Sequence, residues 1–129
     1  MLVTKSWAQV TVSPQYYKSL HKTDWHIHCV YSLDNGLVLC GTEAGMMIYD
    51  GFKLSEIKMD RYEAVNYIFK ISDDKLLLVR ENTLVEIELS SWKFNIVFKG
   101  TNYKNDIFYA AVKVNESIFI GSSVGLQKW

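Results

Sequence analysis

Six consecutive residues, Asp24-Trp25-His26-Ile27-His28-Cys29, carry the densest chemistry in the chain. Imidazole, thiol and carboxylate are the side chains that hold transition metals. Spacing argues against that use. In an extended strand His26 and His28 point to one face, and Ile27 and Cys29 to the other. The imidazoles and the thiol then do not converge, and no further carboxylate stands at ligand spacing. No metal or cofactor is expected. The polar side of this strand is expected to line a channel or meet a partner, so Trp25, His26 and His28 are candidate binding residues.

No catalytic set is expected either. Ser, His and Asp all occur, but no Gly-x-Ser-x-Gly turn presents a strained nucleophile. Gly41 and Gly45 flank a small-residue turn with no helix after it, so they do not cradle a phosphate. His21 lies between Lys18 and Lys22 in a polar stretch that reads as a solvated connection. The large aromatics are better candidates for binding, since they serve both cores and interfaces. Trp7, Trp25, Trp92 and Trp129 are the four tryptophans. Trp129, the final residue, reads as a packing anchor where two repeats meet.

Composition narrows the class. Fourteen basic residues balance fourteen acidic ones, and 49% of the 129 residues are hydrophobic. The first figure argues against a dedicated nucleic-acid binder, the second against a disordered chain. No run of eighteen apolar residues exists to cross a membrane as a helix. The first ten residues, MLVTKSWAQV, have no apolar core of the signal-peptide kind. Cys29 and Cys40 lie in apolar runs and read as buried free thiols. A cytoplasmic address is the expectation from these features.

The elements that must position these residues are short strands. Runs rich in Val, Ile, Leu, Phe and Tyr alternate with turn chemistry such as Asp34-Asn35-Gly36, Asp50-Gly51, Ser72-Asp73-Asp74 and Asn115-Glu116-Ser117. The best helical stretch, 13–22, amounts to a single turn. The runs repeat. Residues 38–49, VLCGTEAGMMIY, match 118–129, IFIGSSVGLQKW, with Gly41 on Gly121 and Gly45 on Gly125, 80 residues apart. A middle copy, 77–87, keeps the apolar run, polar turn and second apolar run without either glycine, and reads as one residue shorter. A strand precedes each copy, at 27–33, 65–71 and 108–114, and puts His28, Asn66 and Tyr109 at corresponding positions. Tyr109 therefore joins the binding candidates. Four strands in about 40 residues is the size of a propeller blade.

The stretch 25–50 resembles the repeat of propeller sensor domains attached to bacterial two-component regulators. The matching features are Asn35-Gly36, the strand 37–40, Gly41-Thr42, Gly45-Met46 and Tyr49, and the likeness extends to 117–129. Leu39 and Phe119 stand where a Trp is usual. The resemblance implies an all-β propeller architecture and no activity; the period is also similar to that of WD40 and kelch repeats.

The expected fold is all-β: about three four-stranded antiparallel blades, at 25–59, 62–99 and 107–129, the last completed by a strand at 7–12. A β-sandwich or barrel is the alternative. Three blades do not close a ring, so the chain is expected to form a six-bladed homodimer or to be part of a longer propeller. The expected function is protein binding without catalysis, as an adaptor or a toxin-neutralising immunity protein. A carbohydrate-binding propeller and a sensor-propeller fragment are the other readings.

Overall fold

The computed structural model describes residues 25–100 and 106–129. The strand expected at 7–12, the turn at 13–22, Trp7 and His21 lie outside them. The described residues form three separate antiparallel sheets, and none closes into a barrel. The first holds β1 (Ile27–Ser32), β2 (Val38–Thr42), β3 (Met46–Tyr49) and β4 (Leu54–Ile57). The second holds β5 (Val65–Ser72), β6 (Lys75–Arg80), β7 (Thr83–Glu88) and β8 (Lys93–Lys99). The third holds β9 (Phe108–Val114), β10 (Ser117–Ser122) and β11 (Gly125–Lys128). Each sheet is a meander in which every strand pairs with its sequence neighbour. Tight turns of expected chemistry make this possible. Asn115, for example, takes φ +54° between β9 and β10, a left-handed conformation that Asn tolerates well.

The sheets pack in sequence order, the second between the other two. Leu39 and Met46 of the first sheet meet Ile68, Leu76, Leu78 and Val85 of the second. On the opposite face Leu77, Val79 and Leu84 meet Phe108, Ala111, Ile118 and Ile120 of the third. Strand β6 therefore has no solvent face, and Leu76, Leu77, Leu78 and Val79 are all buried. A strand covered on both sides gains nothing from polar alternation, so it reads as a continuous apolar run. A smaller cluster of Cys40, Met47 and Leu54, with Trp25 beside it, lies on the far face of the first sheet.

The first strands of the sheets neighbour one another, β1 beside β5 and β5 beside β9. Gly41 shows how close one such approach is. A Cβ there would sit 2.7 Å from the Val65 carbonyl oxygen and 2.6 Å from Cys29 Sγ. Gly121 holds the corresponding place in the third sheet, but a Cβ there would meet nothing nearer than the Ala110 carbonyl oxygen at 3.9 Å.

The middle copy is not shorter than the others. Val79 pairs with Leu84 as Gly41 pairs with Met46 and Gly121 with Leu126, so all three β-turns have one length. Glycine is required in the outer copies because Gly45 and Gly125 take φ +150° and +121°. Thr42 and Ser122 close these turns, each donating its hydroxyl to the glycine carbonyl at 2.9 and 3.0 Å. In the middle copy Arg80 and Thr83 occupy the equivalent places. The turn between them instead receives the third sheet: the Glu81 carbonyl accepts from the backbone N–H of Phe108, while the Asn82 carbonyl accepts from Gly100 at the end of β8. Asn82 also donates its side-chain amide to the Asp106 carbonyl at 2.8 Å.

The two glycines give opposite expectations. Gly41→Ala forces β5 away from β2 and is expected to cost about 1–3 kcal/mol, the range for overpacking a filled site. Gly121→Ala in dilute solution is expected to be neutral or slightly stabilising, since Ala orders at lower entropic cost. Urea denaturation of both variants checks this, and equal losses would contradict the seating of Gly41 against Val65.

Candidate functional site

At one end of the sheets lie the starts of β1, β5 and β9 and the turns β2–β3, β6–β7 and β10–β11. All three first strands carry a bulge at the same place. Ile27 pairs with Thr42 and Cys29 with Gly41, leaving His28 out of register. Val65 pairs with Arg80 and Tyr67 with Val79, leaving out Asn66. Phe108 pairs with Ser122 and Ala110 with Gly121, leaving out Tyr109. A bulge re-aims the side chain of its extra residue, and here it does so three times.

The re-aimed side chains link the sheets. His28 Nδ1 lies 3.0 Å from Asn66 Oδ1, and Asn66 donates its amide to the Phe108 carbonyl at 2.6 Å. One side chain, Asn66, thus uses both ends of its amide to join β1, β5 and β9. Tyr109 stands at the third bulge and is more than half exposed. Asn66 shares the repeat position of His28 and Tyr109, and that correspondence was the signal that could have placed it in the binding set.

The bulge overturns the expectation that His26 and His28 share a face. His26 precedes β1, and its Nδ1 lies 3.3 Å from Glu43 Oε2 in the β2–β3 turn. His28 turns instead to Asn66. Trp25 is half-buried, with its ring edge-on to Tyr62 at a centroid distance of 6.1 Å. Trp25, His26, His28 and Tyr109 therefore lie at one end of the sheets. Trp129 lies at the other, where its backbone pairs with Ile118 and its ring lies against Phe98.

The same end as the bulges holds a buried ion pair that the sequence reading missed. The Arg80 side chain is 1% exposed and donates to Asp60 Oδ1 at 3.0 Å and Glu63 Oε2 at 2.6 Å. Arg61 adds a contact to Glu63 at 2.8 Å. This cluster ties the connection between the first and second sheets to the end of β6.

Two clefts open at the opposite end, one at each sheet junction. The first, about 250 Å³, lies between Leu33 and Asp34 on one sheet and Lys70, Asp73 and Trp92 on the next. The second, about 510 Å³, lies between Ile71 and Ser72 on one sheet and Lys113, Glu116 and Trp129 on the next. Ile71 corresponds to Leu33, Ser72 to Asp34 and Lys113 to Lys70, so the clefts share these wall positions, whereas Trp92, in the turn before β8, and Trp129, after β11, are not equivalents. In the first, Lys70 pairs with Asp73 at 3.2 Å, and the hydrogen bond holds the ammonium above its ordinary pKa.

Both cysteines are free thiols. Cys29 pairs with Gly41, the neighbour of Cys40 in β2, so the two thiols point to opposite faces of the first sheet. They cannot bridge each other without rebuilding the sheet. Burial pushes both thiols above the usual 9.0, which keeps them protonated and unreactive at neutral pH.

No family model and no curated protein matches the chain. Among solved structures it is similar to the extracellular domain of a B. thetaiotaomicron protein described as a hybrid two component system, BT4673. The TM-score is 0.68 and the identity 14%, over 88% of this chain and 15% of that one. A second structure, the extracellular domain of BT4673 described as a one component system, gives a TM-score of 0.43 at 16% identity, over 88% and 21%. The first likeness shows the fold, and the chain spans about one-seventh of the structure it matches. The expected cytoplasmic address is corrected to this extent: the structure matched at a TM-score of 0.68 is an extracellular domain, and no finding supports a cytoplasmic one. Free thiols at Cys29 and Cys40 fit that address but do not require it. Their opposite facing keeps them unpaired for a geometric reason in any compartment.

The amide link yields a stability test. Asn66→Ala removes the partner of His28 and of the Phe108 carbonyl together and is expected to cost about 1–3 kcal/mol. Tyr109→Ala, at the same repeat position and without a side-chain link to another sheet among the described residues, is expected to change stability by less than about 0.5 kcal/mol. Thermal denaturation of the two variants checks this.

Proposed function

We propose that this chain is a three-blade portion of a ligand-binding propeller from an extracytoplasmic sensor. One observation carries the reading: three equivalent antiparallel sheets stack in chain order with matching bulges. The likeness of that arrangement to a sensor's extracellular domain over 88% of the chain supports it. Its work is recognition, without catalysis. The neutralising-protein reading drew on small size and a cytoplasmic address, and the second of these no longer stands.

A second reading concerns the ligand. Each cleft sets a partly exposed tryptophan beside a lysine and a carboxylate. An indole face with hydrogen-bonding groups at its edge suits a polar ring such as a sugar. This favours a carbohydrate as the ligand class over a second protein, since clefts of this size take a small polar molecule.

Two outcomes follow. With an epitope tag in its natural polypeptide, the segment is expected to be cleaved by protease added to intact cells or to cells with a permeabilised outer membrane. Cleavage only after full lysis would overturn the extracytoplasmic reading. Titration of the purified chain with neutral oligosaccharides is expected to quench tryptophan fluorescence saturably, and Trp92→Ala with Trp129→Ala to remove the response. Unchanged fluorescence across the oligosaccharides would refute the sugar reading while leaving the protease result to stand alone.

A further inference from the structure

We infer that the first cleft selects a sugar ring that carries an ammonium group, and that Asp34 is the residue that sets this preference. The selectivity rests on the carbohydrate reading and adds a charge class to it. The two clefts share wall positions but differ in charge. In the first, the carboxylates of Asp34 and Asp73 stand with the single ammonium of Lys70. The second holds Lys75, Glu86, Lys113 and Glu116. Lys75 and Glu86 pair with each other at 3.1 Å, and the remaining Lys113 and Glu116 have the same spacing in the chain as Lys70 and Asp73. The excess negative charge of the first cleft is therefore Asp34, whose place in the second is taken by the neutral Ser72.

Asp34 is not used by its own turn. The connection from β1 to β2 is closed by Asn35, whose Oδ1 accepts from the Leu37 backbone N–H at 3.2 Å, and by Gly36 at φ +85°. No donor hydrogen-bonds the Asp34 carboxylate among the described residues. Its charge nevertheless reaches Lys70. The hydrogen bond to Asp73, then the charge of Asp73 and more weakly that of Asp34, hold this ammonium above its ordinary pKa. Lys70 Nζ is committed to Asp73 at 3.2 Å, so it offsets one carboxylate and leaves the other uncompensated.

Trp92 supplies the aromatic surface. Its backbone takes φ +57°, a conformation costly for a bulky side chain and characteristic of functional positions. The turn holds it there, with the Trp92 N–H donating to the Glu88 carbonyl at 2.7 Å, and the residue stays 37% exposed. An indole beside an uncompensated carboxylate attracts a cation more than a neutral group, and repels an anion. The cleft, about 250 Å³, has the size for a single ring rather than a length of chain.

The test is calorimetric titration of the chain, at low ionic strength, with short oligosaccharides of glucosamine, of N-acetylglucosamine and of glucuronic acid. The amine form is expected to bind on the order of fivefold more tightly than the acetylated one, and the acid form most weakly. Added salt is expected to narrow these gaps. Asp34→Asn keeps the side-chain shape and breaks no hydrogen bond, and Trp92→Gly suits the local φ, so both are expected to fold, as circular dichroism verifies. Each is expected to lose the preference for the amine form. Equal affinity for the amine and acetylated forms, or a preference that survives Asp34→Asn, would overturn the selectivity while the carbohydrate reading stands. Binding of n-butylamine as tight as that of the amine sugar would also overturn it, since charge without a ring would then suffice. An absence of heat with every saccharide would remove both.

Discussion

Leu76, Leu77, Leu78 and Val79 follow one another along β6, and every one of them is buried. Alternate side chains reach opposite neighbours: Leu76 and Leu78 pack toward the first sheet, Leu77 and Val79 toward the third. The outer sheets exist as packed layers because this strand offers each of them an apolar face. Burying both faces of one strand removes apolar surface from water on each side of it.

Polar groups give the stack its alignment. The bulges at His28, Asn66 and Tyr109 turn one residue of each first strand out of its ladder. Asn66 then spans the gap between neighbours, accepting on one side and donating on the other. Apolar packing alone tolerates sliding of one sheet over another, whereas an amide committed at both ends fixes the offset. The Arg80 ion pairs act similarly at the first junction, and the Asn82 and Asp106 contacts at the second. The buried Arg80 and the buried Thr83 occupy places that hydroxyl and glycine hold in the outer copies. The middle copy lacks the two glycines, and its turn holds the neighbouring elements.

Much of the fold was legible in the sequence for these reasons. Continuous apolar runs marked strands covered on both faces, and glycines 80 residues apart marked equivalent turns. The candidate site was legible only in part. Strict alternation put His26 and His28 on one face, and a bulge is invisible to alternation because it inserts a single residue without changing composition. Asn66 looked ordinary, since its role comes from two partners, His28 and the Phe108 carbonyl, that are 38 and 42 residues away. Arg80 drew no notice in the sequence, because its carboxylate partners, Asp60 and Glu63, lie in the connection before the second sheet. Trp129 was grouped with residues at the opposite end of the sheets, since nothing local tells which end of a strand a chain terminus reaches.

The burial of β6 on both faces is tested most directly by native-state hydrogen exchange resolved along the chain. The amides of Leu76–Val79 are expected to be the slowest, exchanging only when the whole stack opens, while those of β4 and β11 exchange through local fraying. Exchange of the β6 amides at rates equal to those of the edge strands would contradict a stack built around the middle sheet.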